Sequence, residues 1–325
     1  MIGKERVVVG LISALVTASL ILVFVIGLGF TSDDKEEEQP TFTQKFRNDY
    51  SIYSLDLPDS LNFAGEEVPV NYFDVRESLD RELLVNTYWQ SHSLLLIKRA
   101  NKYFPMIERI LEKNNIPEDF KYIPLIESEL THSISPAGAV GFWQFLRGTA
   151  RDYGLEVNYQ VDERYHIEKS TQAACEYFQD AYERFGSWTL AATAFNFGRT
   201  AVIRQLNRQE ADSYYNLVLN DETARYIFRI LAMKIILNNP EKYGFNLREQ
   251  DLYYPVPYRE VEVDTTVQNF AEFARQHSIN YKMLKIMNPW LRENYLKNPR
   301  GKTYHIKIPK DGYRDYRKLY KNHIQ

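Results

Sequence analysis

The apolar positions begin with an unbroken run, Val7 to Phe30, that contains no ionisable side chain. As a helix rising about 1.5 Å per residue, it would reach roughly 36 Å, enough to cross a hydrocarbon core of about 30 Å. The run predicts a transmembrane anchor. The competing reading, a long cleaved signal peptide, is disfavoured because such signals have apolar stretches of about 7 to 15 residues and no A-x-A-like site follows Phe30. Lys4 and Arg6 precede the run and the mostly acidic Asp33–Glu38 follows it, which predicts a cytoplasmic N-terminus and a single pass through the inner membrane. The rest of the chain would then face the periplasm or the exterior. From Thr31 to about Phe63 the sequence is polar and acidic with no sustained period, so it reads as a tether that need not fold.

A helical series is expected from near Ser78 and includes Phe104, Ile107, Ile110 and Leu111 on one face. A further helix is predicted to start at Pro117, with Glu118 and Asp119 favourable in its first turn. Others are predicted over Ser170–Phe185, Ser187–Phe197 and Asp221–Asn238. Alanines 191, 192 and 194 would let the middle one approach its neighbours closely. After Pro255 and Pro257 the period changes: Val261-Glu262-Val263 alternates, a helical patch follows, and Tyr304–Ile308 alternates again before Pro309. The expected class is mainly α, with a small α+β module at the C-terminus and the N-terminal membrane helix. The expected division is an anchor over 1–30, an acidic tether and lead-in over 31–77, a helical unit over 78–250 and the small module over 251–325.

With 325 residues, 44% of them hydrophobic, the chain can bury one substantial core and a smaller one. Its 40 basic and 43 acidic residues nearly cancel, and no basic cluster accompanies a nucleic-acid motif, so nucleic acid is not expected as a partner. Cys175 is the single cysteine, which leaves no disulfide framework or thiolate zinc site, and its helical surroundings suggest a small buried thiol. The six histidines form no metal-binding pattern, so neither a metal nor another cofactor is expected. His132, close to the most informative stretch, could bond a ligand there, but a loop histidine is more often simply solvated and it is read so here.

That stretch runs from Ile123 through Glu127-Ser128-Glu129 to Ser135-Pro-Ala-Gly138-Ala-Val-Gly141-Phe-Trp143-Gln144-Phe145. It reads as a helix delivering a carboxylate, a turn of small residues and an aromatic-flanked amide. Phe120 and Ile123 lie seven and four positions before Glu127 on its helical face, and burial there would raise the carboxyl pKa, as a general acid requires. The small residues would let a sugar chain lie against the backbone, Phe142 and Trp143 could stack on sugar faces, and Gln144 could bond an acetamido group. Periodicity does not choose between Glu127 and Glu129, because Leu125 makes the side of Glu129 apolar as well.

These residues resemble the lytic transglycosylases with the goose-type lysozyme-like fold, in particular the membrane-bound murein transglycosylase D branch. The resemblance continues through Gly148-Thr149-Ala150, Tyr153-Gly154-Leu155, Ala192-Thr-Ala-Phe195-Asn196-Phe-Gly198 and Glu222-Thr223-Ala-Arg-Tyr226, in the family's order. It implies a lysozyme-like helical catalytic domain acting on peptidoglycan glycan strands. It further implies Glu127 as catalytic acid/base, with Ser135, Gln144, Asn196 and Tyr226 lining the groove and Glu222 holding its helix in place. Phe195 stands where the family has tyrosine, so a hydroxyl is missing from the site. By the same resemblance, Glu127 would protonate the bond between N-acetylmuramic acid and N-acetylglucosamine. The substrate's acetamido group would assist, and closure of a 1,6-anhydro ring would return the proton to Glu127 without a second enzyme carboxylate.

The C-terminal module resembles a LysM domain, a small peptidoglycan-binding βααβ fold, through Asp264-Thr265-Thr266, Phe270-Ala271-x-x-Ala274, Leu284-x-x-Met287-Asn288-Pro289 and Ile306-Lys-Ile308-Pro309. The usual glycine of its first turn is absent, and a purely packing role is the alternative. Three functions remain open on sequence: a lytic transglycosylase, a hydrolytic muramidase on the same fold, and a non-catalytic protein that binds the wall.

Overall fold

Helical periodicity dominates the observed architecture as it does the sequence. The computed structural model describes residues 52–312 and 314–324, so the apolar run Val7–Phe30 and the expected anchor lie outside the described residues. Among those that are described, no helix is long and apolar enough to cross a membrane. Leu55–Gln325 forms one unit. It opens with a short hairpin, β1 (Asn62–Phe63) and β2 (Glu66–Glu67), followed by helices α1 (Phe73–Tyr88) and α2 (Gln90–Lys113). A 3-10 turn over Glu118–Lys121 then leads into α3 (Tyr122–Ser128) and, after a long loop, α4 (Arg147–Asp152). Helices α5 (Ile167–Phe185), α6 (Trp188–Phe197), α7 (Arg199–Gln209) and α8 (Asp221–Asn238) complete the helical part.

The apolar face predicted for α2 is real: Phe104, Ile107 and Leu111 are buried in the main core. Alanines 191, 192 and 194 are fully buried where α6 packs against α5 and α8. Ser187 caps α6, accepting a hydrogen bond from the Leu190 amide at 3.3 Å, and Asn220 caps α8 through the Thr223 amide at 2.9 Å. Cys175 is fully buried in α5, and burial pushes its thiol pKa up to about 12, consistent with an inert packing residue.

The structure corrects the boundaries expected from sequence. The helical series starts at Phe73, before Ser78, and the segment ahead of it is folded from Leu55 onward instead of forming free tether. Phe63, Val68 and Val70 lie in the main core. Glu66 reaches the start of α6, where its carboxylate accepts from the Trp188 amide at 2.5 Å and the Thr189 amide at 2.9 Å. A carboxylate at the positive end of a helix satisfies amides that have no partner within the helix. The helix expected to start at Pro117 opens there as the 3-10 turn, with Pro117 as its cap, and becomes α-helical from Tyr122, with Pro124 in the first turn of α3.

The C-terminal part has the expected βααβ order: β3 (Tyr258–Val263), α9 (Phe270–Gln276), α10 (Tyr281–Met287) and β4 (Tyr304–Pro309). β3 and β4 pair antiparallel from Tyr258 opposite Pro309 to Val263 opposite Tyr304. Asn288, fully buried, joins α10 to the sheet: its side chain donates to the Lys307 carbonyl at 2.7 Å and accepts from the Lys307 amide at 2.8 Å. A last helix, α11 (Tyr316–Ile324), follows.

Candidate active site

Glu127 is the penultimate residue of α3. The helix stops at Ser128 because Glu129 and Leu130 take left-handed backbone conformations, with φ of 55° and 53°. Such angles are costly for residues with side chains and persist only where the surroundings impose them. The reversal separates the two carboxylates. Glu129 turns toward solvent, 3.2 Å from Arg99 and 3.7 Å from His92. Glu127 points inward and accepts a hydrogen bond from the Tyr226 hydroxyl at 2.7 Å.

The surroundings hold the Glu127 pKa above the usual carboxylate range. Burial is the largest cause; the Tyr226 hydrogen bond and the nearby Arg229 oppose it, while Glu222 adds to it. All three modulators sit on α8, at positions 222, 226 and 229 along one face. Arg229 also donates to the carbonyl of Ile126 at 2.9 Å, fixing the backbone directly before Glu127. Glu82, on α1, in turn anchors α8: its buried carboxylate accepts from Arg225 at 2.6 Å.

Tyr226 is buried, and Asn196, at the end of α6, faces α8. Asn196 accepts from the Thr223 hydroxyl at 3.0 Å and donates to Glu222 at 3.4 Å. Glu127, Asn196, Glu222 and Tyr226 therefore form one polar constellation between α3, α6 and α8. Phe195 belongs to the hydrophobic side of α6 and packs on Trp143, Phe145, Tyr177 and Phe178.

Ser135 and Gln144 lie together on the loop between α3 and α4. The Ser135 hydroxyl accepts from the Ala139 amide at 3.0 Å, which closes a tight turn through Gly138. Gln144 has φ of 49° and donates its amide back to the Gly141 carbonyl at 2.7 Å. Ser128 links this loop to α3, its hydroxyl donating to the Phe142 carbonyl at 2.9 Å. The expected stacking role of Phe142 and Trp143 is overturned, since both are buried and the Trp143 indole donates to Thr171 at 2.9 Å. Side chains in that position anchor the loop in the core, where no sugar reaches them.

His132 also differs from expectation. Its ring packs beside Phe142 and Tyr165 instead of standing in solvent, and burial lowers its pKa to about 4. Trp89 was not anticipated. It is 57% exposed, stacks on His92 at 4.1 Å, and His92 in turn faces Glu129. Arg229 was missed too, although its place three residues after Tyr226 puts it on the same helical face.

Residues 105–218 match the transglycosylase SLT domain, and residues 259–312 match the C-terminal LysM-like domain of soluble lytic transglycosylases. Glu127, Ser135, Gln144 and Asn196 fall inside the first match, whereas Glu222 and Tyr226 follow it. The chain is similar to membrane-bound lytic murein transglycosylase D of Escherichia coli (strain K12), with 28% identity over 257 residues, covering 76% of this chain and 55% of that protein. It also resembles a putative tributyltin chloride resistance protein of Alteromonas sp. (strain M-1), at 32% identity over 111 residues, 34% of this chain and 54% of the relative. The chain thus spans about half the length of the curated relatives it matches. On these matches the chain carries a region similar to the transglycosylase SLT domain and, behind it, one similar to the LysM-like domain of soluble lytic transglycosylases.

Proposed function

We propose that the protein is a peptidoglycan lytic transglycosylase that cleaves the bond between N-acetylmuramic acid and N-acetylglucosamine and leaves 1,6-anhydro ends. The observation that carries this reading is the half-buried Glu127 carboxyl, held on the Tyr226 hydroxyl at 2.7 Å with its pKa raised by desolvation. A protonated carboxyl in that position can give its proton to a glycosidic oxygen. The carboxylate left behind is stabilised by the Tyr226 hydrogen bond and the charge of Arg229, and so can accept the proton of the sugar's own 6-hydroxyl. Atoms then balance within the glycan: the 6-oxygen replaces the leaving oxygen at the anomeric carbon, and no water is consumed.

Asn196 and Tyr226 would line one side of the reacting sugar, with Ser135 and Gln144 on the loop opposite. The division into anchor, lead-in, catalytic part and C-terminal wall-binding module is part of the same proposal, as is a single-pass location in the inner membrane.

Glu127→Gln tests the assignment on purified peptidoglycan. Gln retains an oxygen that can accept from Tyr226 but has no proton to transfer, so release of soluble glycan should stop while the folded state and wall binding persist. Glu129→Gln should release glycan at the wild-type rate. A dead Glu129→Gln alongside an active Glu127→Gln would move the chemistry to Glu129 and overturn the assignment.

A further inference from the structure

The loop that carries Ser135 and Gln144 has little regular structure of its own, and it takes left-handed backbone conformations at Gly138, Gly141 and Gln144. Arg164 braces it from behind. One guanidinium nitrogen donates to the carbonyls of Gly138 and Phe145, each at 3.1 Å, so a single side chain ties both limbs of the loop. The other two nitrogens are bound by Asp162 at 2.9 and 2.8 Å. Arg164 and Asp162 are 5% and 7% exposed, which makes this a buried ion pair whose desolvation is offset by hydrogen bonds from all three guanidinium nitrogens. The Arg164 carbonyl also lies against Gly141 so closely that a Cβ there would come within 2.1 Å of it.

The bracing segment rests on the C-terminal module. The Asp162 amide donates to the Trp290 carbonyl at 2.9 Å, the Arg292 amide donates to the Gln160 carbonyl at 2.8 Å, and Val161 pairs with Leu291. Val140, from the substrate loop itself, joins Val161 and Tyr165 in one hydrophobic cluster with Val263, Phe270, Leu284, Trp290 and Ile306 of the module. A module that served only to bind glycan needs a linker to the enzyme, and the chain over 255–257 supplies one. It does not need to share its core with a loop of the active site.

We propose that the C-terminal module has a second function as the buttress of the substrate loop, with Arg164 as the positioning residue that transmits its support to Ser135 and Gln144. Strained backbone conformations hold only when their surroundings impose them, and here those surroundings run from Leu291 through Val161 and Asp162 to Arg164. The role of Ser135 and Gln144 in this inference rests on the cleavage reading, whereas the mechanical coupling does not.

The test uses the full chain with two single variants, Leu291→Ala on the module side and Arg164→Met on the loop side. Two readouts are taken: amide hydrogen exchange over residues 133–145, and kcat and KM on a soluble tetrasaccharide of alternating N-acetylglucosamine and N-acetylmuramic acid. Both variants should keep their helical circular dichroism yet lose protection in the loop. A bound sugar misplaced by around an ångström should cost about 100-fold in kcat/KM, with the loss falling more on kcat than on KM, while binding to whole sacculi is retained. Loop protection and kcat/KM equal to wild type in either folded variant would overturn the inference. If the wild-type protein fails to cleave the tetrasaccharide, the cleavage reading falls, and hydrogen exchange alone decides the buttress.

Discussion

A carboxyl group that must give up a proton and later take one back needs an environment balanced between its two forms. Around Glu127 the balance is set by opposing influences, with burial and Glu222 favouring the acid and Tyr226 and Arg229 favouring the carboxylate. Tyr226→Phe removes one of the latter. A hydrogen bond to a charged group contributes about 1.5 to 3 kcal/mol, so kcat should fall roughly ten- to hundredfold if that bond strengthens as the carboxylate forms. Loss of a bond that lowers the Glu127 pKa leaves that pKa higher, and the carboxyl then stays protonated to more alkaline pH. The basic limb of the kcat/KM profile should therefore move to higher pH in Tyr226→Phe, as a pH series would reveal; movement to lower pH would mean that the phenol stabilises the acid form. The choice between Glu127 and Glu129 was not legible from helical period, because it depends on the left-handed turn at Glu129 and Leu130, which no residue in Glu129-Leu130-Thr131 announces.

At the scale of elements, what repeats along the chain was readable and what meets across it was not. α8 was expected at Asp221–Asn238 and is found there, since its apolar period and Asn220 cap are local signals. The βααβ order of the C-terminal module was readable for the same reason. The cap that Glu66 places on α6, the Glu82–Arg225 pair and the Arg164 brace join distant residues, and local pattern carries no trace of them. The loop of Ser135 and Gln144 lies between these cases: its small residues suggested close approach, but to sugar, whereas at Gly141 the close neighbour is the Arg164 backbone. Gly141→Ala should accordingly destabilise the fold by about 3 kcal/mol or more, through a left-handed backbone and a clash against main chain. Gly148, within α4 and open on all sides, offers the control: Gly148→Ala should add about 0.4 to 1 kcal/mol by restricting the unfolded chain. Denaturant midpoints for the two variants decide, and similar values would remove the argument for a packed loop.

For the molecule as a whole, we propose an N-terminal anchor, a catalytic helical part and a wall-binding module that also supports the site. Because the described fold begins at Leu55 and the site lies wholly beyond it, deletion of residues 1–32 should give a soluble protein with wild-type cleavage of purified peptidoglycan. The intact chain should fractionate with membranes, and recovery of a shortened soluble form from cells would point to a cleaved signal instead. The central claim is the reaction itself, in which one carboxyl moves one proton out and one back and the sugar supplies its own nucleophile. The most direct measurement is the mass of the glycan termini released from purified peptidoglycan, taken without chemical reduction and with Glu127→Gln as the blank. The account predicts termini of 1,6-anhydro-N-acetylmuramic acid, lighter by one water than the hydrolytic product and absent from the blank. Mainly reducing termini would contradict it and make the protein a muramidase, and equal release by Glu127→Gln would show that the chemistry lies elsewhere.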